Sequence, residues 1–265
     1  MSYPLLKSTI KSNWVIGIII LAVMFMYLAI ILSMYDPEGN EALNALLATL
    51  PQELVKAMGY DTIETNLIGF VSSYYYGFIV ILFPMIYSII VANRLIAKHV
   101  DSGSMAYLLS TPNTRFTIVT TQAIYLLMSI AVIFTFITIL GITIAQWLFA
   151  GELHVRAFIQ MNVSAMLLFF AISGICFFFS CLFNDTKNSL AFGAGIPVAF
   201  FIINLLANVS PTLDWLQYLT IFTLFQPSTI IGDTFPIMPN IILIVIACAC
   251  YAGGILLFRS RDLPL

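Results

Sequence analysis

The chain has 265 residues, of which 61% are hydrophobic and only 8% charged, and its formal net charge is −2. A soluble domain has about a quarter of its residues charged and just under half apolar, so this composition excludes a single water-facing globule and makes lipid the solvent for most of the chain. The ten Lys and Arg residues are scattered without forming a basic stripe, which excludes a nucleic-acid surface.

A helix needs about 20 apolar residues to cross a bilayer, and six runs in the chain qualify. The fold class read from them is all-α, a polytopic membrane protein with one transmembrane domain over residues 1–265. An interface helix at residues 3–13 precedes span one at 14–35. That run is too long for the apolar core of a signal peptide, and no small-residue cleavage site follows Tyr35. The outer loop, 36–66, is acidic and sets Leu43, Leu46, Leu47, Leu50, Leu54, Val55 and Met58 at roughly helical spacing. It reads as a lid on the outer membrane face, or as a release surface. Span two covers 67–96, with Pro84 as a kink point. Span three, 116–149, exceeds one straight crossing and must tilt or extend beyond the membrane. Spans four, five and six follow at 157–183, 189–208 and 238–258. The segment 212–232 is apolar but interrupted by Gln217, Thr220, Thr223, Gln226 and Pro227, and reads as a re-entrant outer segment before span six.

Charge sets the orientation. With six spans and the N-terminus inside, Lys7, Lys11, Arg94, Lys98, Arg115, Lys187, Arg259 and Arg261, eight of the ten basic residues, share the cytoplasmic side, while nine acids face outward. A seventh span would carry Arg259 and Arg261 outside. Both termini are therefore expected in the cytoplasm.

Several chemistries have no residues to support them. Cys176, Cys181, Cys248 and Cys250 all lie in apolar runs away from His99 and His154, the pattern of buried thiols and not of a metal site. The phosphate-binding loop, zinc-protease and serine-hydrolase motifs do not occur. The middle of each span is free of Asp, Glu, Lys, Arg and His, whereas ion-coupled transporters usually keep such a residue at that depth. The chain is expected to be no enzyme, to bind no cofactor itself, and to take energy from elsewhere if it moves a solute.

The stretch KHVDSGSMAYLLSTPNTR (Lys98–Arg115) stands out between spans two and three. Residues 102–111 read as a short cytoplasmic helix, capped by Ser102 or Ser104 and stopped at Pro112 and Asn113. Met105, Leu108 and Leu109 cluster on one side, with Tyr107 at the edge and no core expected beneath them. Such a face either lies on the inner leaflet or fills a groove on a soluble partner.

The region Phe83–Gln122 resembles the signature of ABC-2-type permeases, the membrane subunits of bacterial ABC exporters, through Gly103, Ser104, Leu108, Leu109, Pro112 and Arg115. LLKSTIKSNW (Leu5–Trp14) resembles that family's interface helix, LQYLTIFTLFQPSTII (Leu216–Ile231) its re-entrant region, and LFRSRDLPL (Leu257–Leu265) its basic-Asp-Leu terminus. LPQELVKAMGYD (Leu50–Asp61) is similar to the subgroup of sodium- or copper-system permeases. Asp101-Ser102 departs from the family, which more often has two or three acids there. The resemblance implies that 102–111 is a coupling helix docking into a separate ATP-binding subunit. Two permeases, identical or not, and two ATPases would make the transporter, with ATP and Mg held by the partner and membrane lipid around the bundle. The bacterial cytoplasmic membrane is the implied location. Docking would then involve Lys98, Asp101, Ser104, Met105, Tyr107, Leu108, Leu109 and Arg115, with Arg94 adding to the charge. A membrane-embedded scaffold or sensor that binds a soluble protein is the alternative, and an enzyme acting on lipids has least support.

Tyr74, Tyr75 and Tyr76, crowded with Phe78, suit either an aromatic belt at the membrane interface or, with Asn204, a substrate path. The solute itself would be an amphipathic peptide, a drug or a lipid-like molecule. Ser189, Gly193 and Pro197, like Ala191 with Gly195 and Ala249 with Gly253, recur every four residues, so helices approach closely there and span five is a candidate dimer seam.

Overall fold

Lipid offers a backbone N–H or C=O no partner, so each crossing must close its hydrogen bonds internally. The computed structural model describes residues 1–36, 49–51, 54–55, 66–110, 113–209, 211–232 and 234–261, and among them it is helical with no strand. The elements in order are α1 (Tyr3–Met34), α2 (Leu67–Val71), a π-helical turn (Ser72–Tyr76), α3 (Ile79–Leu95), α4 (Ala97–Asp101), α5 (Ser104–Leu109), α6 (Arg115–Leu148), α7 (Val155–Leu182) and α8 (Thr186–Val209). Two 3₁₀ turns (Pro211–Leu219 and Ile221–Leu224), α9 (Pro227–Ile231) and α10 (Ile237–Ser260) complete it. Six crossings are long and apolar enough to span a membrane: α1, the broken segment Leu67–Asp101, α6, α7, α8 and α10. Most of the outer loop 36–66, with its predicted leucine face, lies outside the described residues.

Two expectations are refined. The interface helix at 3–13 is not a separate element, since α1 runs without a break through Asn13 and Trp14. Between Pro211 and Ile231 the chain makes short turns, none of crossing length.

The helices sort into inner and outer ones. The second crossing and α7 bury 67% and 61% of their apolar windows, against 22–39% for the other four. α7 is the hub, touching α3, α6, α8 and α10. Gly254 lets α10 approach it, because a Cβ there would lie 3.3 Å from the Phe178 Cα. Buried polar pairs fasten the same contacts: Ser173 Oγ lies 2.8 Å from the Tyr251 hydroxyl, Asn240 Nδ2 donates to Ser164 Oγ at 3.0 Å, and the Cys176 thiol donates to the Gly193 carbonyl at 3.1 Å. Such bonds hold membrane helices together where the hydrophobic effect no longer distinguishes helix from lipid.

Of the small-residue rows, Ser189, Gly193 and Pro197 are buried in the chain's own core, Gly193 against Cys176 of α7. Ala191 and Gly195 are exposed. Gly253 faces Phe178, and Ala249 is exposed.

The three tyrosines do not form an outward belt. Tyr75 and Tyr76 are fully buried, and Tyr74 is 7% exposed. The π-helical turn swings them inward, where Tyr76 meets Phe158 and, at 6.1 Å, Phe225 of the segment after α8. Nearby, Tyr35 packs edge-on to Phe70 and Phe149 at 5.5 and 5.3 Å. These contacts mark one end of the bundle.

Candidate functional site

The other end gathers the start of α1, the end of α10 and the described part of the predicted docking stretch. The Ser2 backbone N–H donates to Thr121 Oγ1 at 3.0 Å, and Thr9 Oγ1 lies 3.2 Å from Gln122 Oε1, so the start of α1 is sewn to the start of α6. The Ala97 N–H donates to Ser180 Oγ at 3.0 Å, and Asp101 Oδ2 accepts from the Thr186 N–H at 3.3 Å. Arg115 Nη1 donates to the Arg261 carbonyl at 2.7 Å, and Arg261 in turn donates to the Cys181 carbonyl at 2.8 Å. The connection between the second and third crossings is thereby tied to α7, α8 and the tail.

Within that connection, Gly103 has φ +71°. This left-handed conformation suits glycine and reverses the chain between α4 and α5. This corrects the expectation that Ser102 or Ser104 caps α5: Gly103 occupies the cap position, and no side chain caps the helix. Ser104 instead begins the helix, with its hydroxyl 2.8 Å from His99 Nδ1 and 2.9 Å from Ser102 Oγ.

The reversal turns the apolar side of α5 inward, which corrects the expectation that no core lies beneath it. Met105 is fully buried in the main core, and Leu108 and Leu109 are half-buried against it. Met105 has no free surface to offer a partner, because α5 folds back over α4 and must cover its own apolar atoms. What faces outward is Ala106 and Tyr107, the latter 80% exposed. Arg115 is half-buried and engaged with the tail.

The profile of the family described as ABC-2 family transporter protein matches residues 6–263. The chain belongs to the ABC-2 transporter family. Searches of curated proteins and of solved structures return no match.

In this ABC-2 protein the remaining predicted residues take different surroundings. Lys98 lines a polar pocket of about 270 Å³ with Ser8, Ser12, Arg94, His99 and Gln122, to one side of Tyr107. Asn204 is half-buried on α8, and Tyr74, Tyr75 and Tyr76 pack in the core at the opposite end from α5. Among the described residues no three His, Cys, Asp or Glu groups stand where they could hold a metal. Cys176 and Cys181 are buried, whereas Cys248 is exposed.

Sequence reasoning passed over Ser180, Asp185 and Thr186 as partners, and used Arg261 only to set orientation. Asp185 accepts the Asn188 N–H at 2.7 Å and its side-chain amide at 2.9 Å, capping α8. These bonds, the backbone one foremost, with Lys187 beside it, hold the Asp185 carboxyl below its ordinary range. An acid three residues before a donor at a helix start is the readable signal for it.

Proposed function

We propose that this ABC-2 chain is the permease subunit of an ATP-driven exporter, working as a pair and coupled to a separate ATP-binding subunit. Its termini and α5 would lie in the cytoplasm of a bacterium. The observation that carries the reading is the anchoring of α4 and α5. Tyr107 stands outside the bundle, while Ala97 and Asp101, at the two ends of the adjoining α4, bond to Ser180 of α7 and Thr186 of α8. A push on Tyr107 would move two crossings together, which a coupling element must do. The clustering of the termini, Lys98, Arg115 and Arg261 at that end supports its cytoplasmic placement, since Lys and Arg are enriched on that side. Docking is assigned to Tyr107 and Ala106, flanked by Asp101, while Lys98 lines the polar pocket to one side; Ser104, Met105, Leu108 and Leu109 brace the turn from beneath. An amphipathic peptide, drug or lipid-like molecule suits apolar crossings as solute.

Affinity purification of the full chain from its own cells tests this. Co-purification of an ATPase, lost in Tyr107→Asp but kept in Tyr218→Asp (an equally exposed tyrosine), supports it. An ATPase absent from the wild-type preparation overturns it. ATP turnover that no solute stimulates would favour the scaffold reading.

A further inference from the structure

The flank of α1 carries two adjoining sites that transport coupling leaves unused. Facing the surroundings, α1, α3 and α6 bound an apolar groove of about 370 Å³. Trp14, Ile18, Val132 and Phe136 line it and are 53, 53, 50 and 49% exposed, so bilayer hydrocarbon has direct access. Toward the end that holds the termini lies the polar pocket with Arg94 and Lys98, whose lining includes no carboxylate among the described residues. Asn13 lines both spaces. It is 4% exposed, its amide nitrogen donates to the Thr9 carbonyl at 3.1 Å, and its Oδ1 is buried with no hydrogen-bond partner. A buried acceptor left unsatisfied is destabilising, so this oxygen marks the junction as a place for a donor. Trp14, next in sequence, is the residue type that settles at head-group depth.

We propose that the two spaces form one site for an anionic phospholipid of the surrounding bilayer. The phosphate sits against Arg94 and Lys98, a head-group hydroxyl donates to Asn13 Oδ1, and an acyl chain lies along the groove. Two cations without a lining carboxylate favour a net negative head group over a zwitterionic one. A phosphate also matches guanidinium geometry, with charge-assisted bonds stronger than neutral ones. The occupant is a bilayer lipid because the groove walls open outward to the membrane and not into the bundle. The site does not depend on whether an ATPase docks at Tyr107.

The test is native mass spectrometry of the full chain in mild detergent. The protein is titrated with dioleoyl phosphatidylglycerol or with phosphatidylcholine of the same chains. The wild type is expected to bind the anionic lipid about tenfold more tightly, the scale of one charge-assisted hydrogen bond. Arg94→Gln with Lys98→Gln removes that preference. Lys187→Gln with Arg259→Gln, equal in charge change and located outside the pocket, keeps it. Gly17→Leu, which fills the groove beside Tyr87, weakens both lipids. Equal binding of the two lipids by the wild type overturns the proposal. So does a preference that survives the Arg94 and Lys98 changes or vanishes with the control pair. Competition by free glycerol 3-phosphate as effective as by intact lipid would also overturn it, because the groove would then contribute nothing.

Discussion

The Asp101 carboxylate reaches across 85 residues of sequence to the backbone N–H of Thr186, at 3.3 Å, and so joins the turn before α5 to the first residue of α8. Both groups are near the surface, where a carboxylate at a helix N-terminus contributes less than about 1 kcal/mol. Asp101→Ala should therefore leave the fold intact. If this bond transmits motion, ATP turnover in the assembled transporter persists while solute export falls several-fold, and Asp101→Asn recovers part of it. A parallel measurement of turnover and export in proteoliposomes checks this; equal loss of both would assign Asp101 to docking instead.

Asp185 caps the same helix start, and its behaviour with pH follows from its bonds. The folded carboxyl titrates below its unfolded value because two Asn188 donors favour the charged form. A group with a depressed folded value contributes stability above its unfolded value and loses it as pH falls through the folded one. Thermal unfolding in detergent should thus show α8 loosening from about pH 5 downward, where Asp and Glu begin to take up protons. Asp185→Asn, which keeps an acceptor at the cap, should be less sensitive over that range while matching the wild type at neutral pH to within a few degrees. The melting curves of the two proteins at pH 7 and pH 3.5 decide it.

Met105 and Tyr107 are two residues apart and should fail in opposite ways. Met105 is fully buried, so Met105→Ala removes packed atoms and should destabilise by about 2 kcal/mol or more, and Met105→Asp further still through a buried charge. Tyr107 is exposed, so Tyr107→Asp should fold normally and lose only partner binding. Size-exclusion profile and melting temperature report the first effect and co-purification the second. A well-folded Met105→Asp would mean that α5 does not rest on the core.

How far the sequence reading reached can be argued from these same residues. The six crossings were legible because lipid demands long uncharged runs, and few other segments of the chain are that apolar. The all-helical class and the family followed from that order together with the Gly103-to-Arg115 pattern. The direction of α5 was not legible. Met105, Leu108 and Leu109 share a face by periodicity alone, and periodicity does not say whether a core or a partner covers that face. Tyr74, Tyr75 and Tyr76 defeated the belt reading for a related reason: a π-helical turn shifts the register, and nothing in a run of three tyrosines announces it. Asn13 was passed over because an asparagine near a helix start has many bland explanations; its buried, unpaired oxygen exists only in three dimensions.

Gly141 and Gly195 separate the inner from the outer surface of the bundle. A Cβ at Gly141 would come within 2.6 Å of the Phe158 ring and 2.9 Å of Leu28, both buried, so α6 reaches α7 and α1 only because no side chain stands there. A Cβ at Gly195 would meet nothing within 4 Å. Gly141→Ala should lower the melting temperature, because overpacking a filled core costs about 1–3 kcal/mol, whereas Gly195→Ala should hold or raise it through better helix propensity. The bulkier Gly195→Leu should still leave the monomer folded in detergent. If it also breaks apart a detergent-stable pair seen for the wild type on a calibrated sizing column with light scattering, then the exposed row of Ala191 and Gly195 is where two copies meet. An unchanged pair would place that contact elsewhere on the bundle. The Gly141 result stands on its own in either case, since its neighbours belong to the same chain.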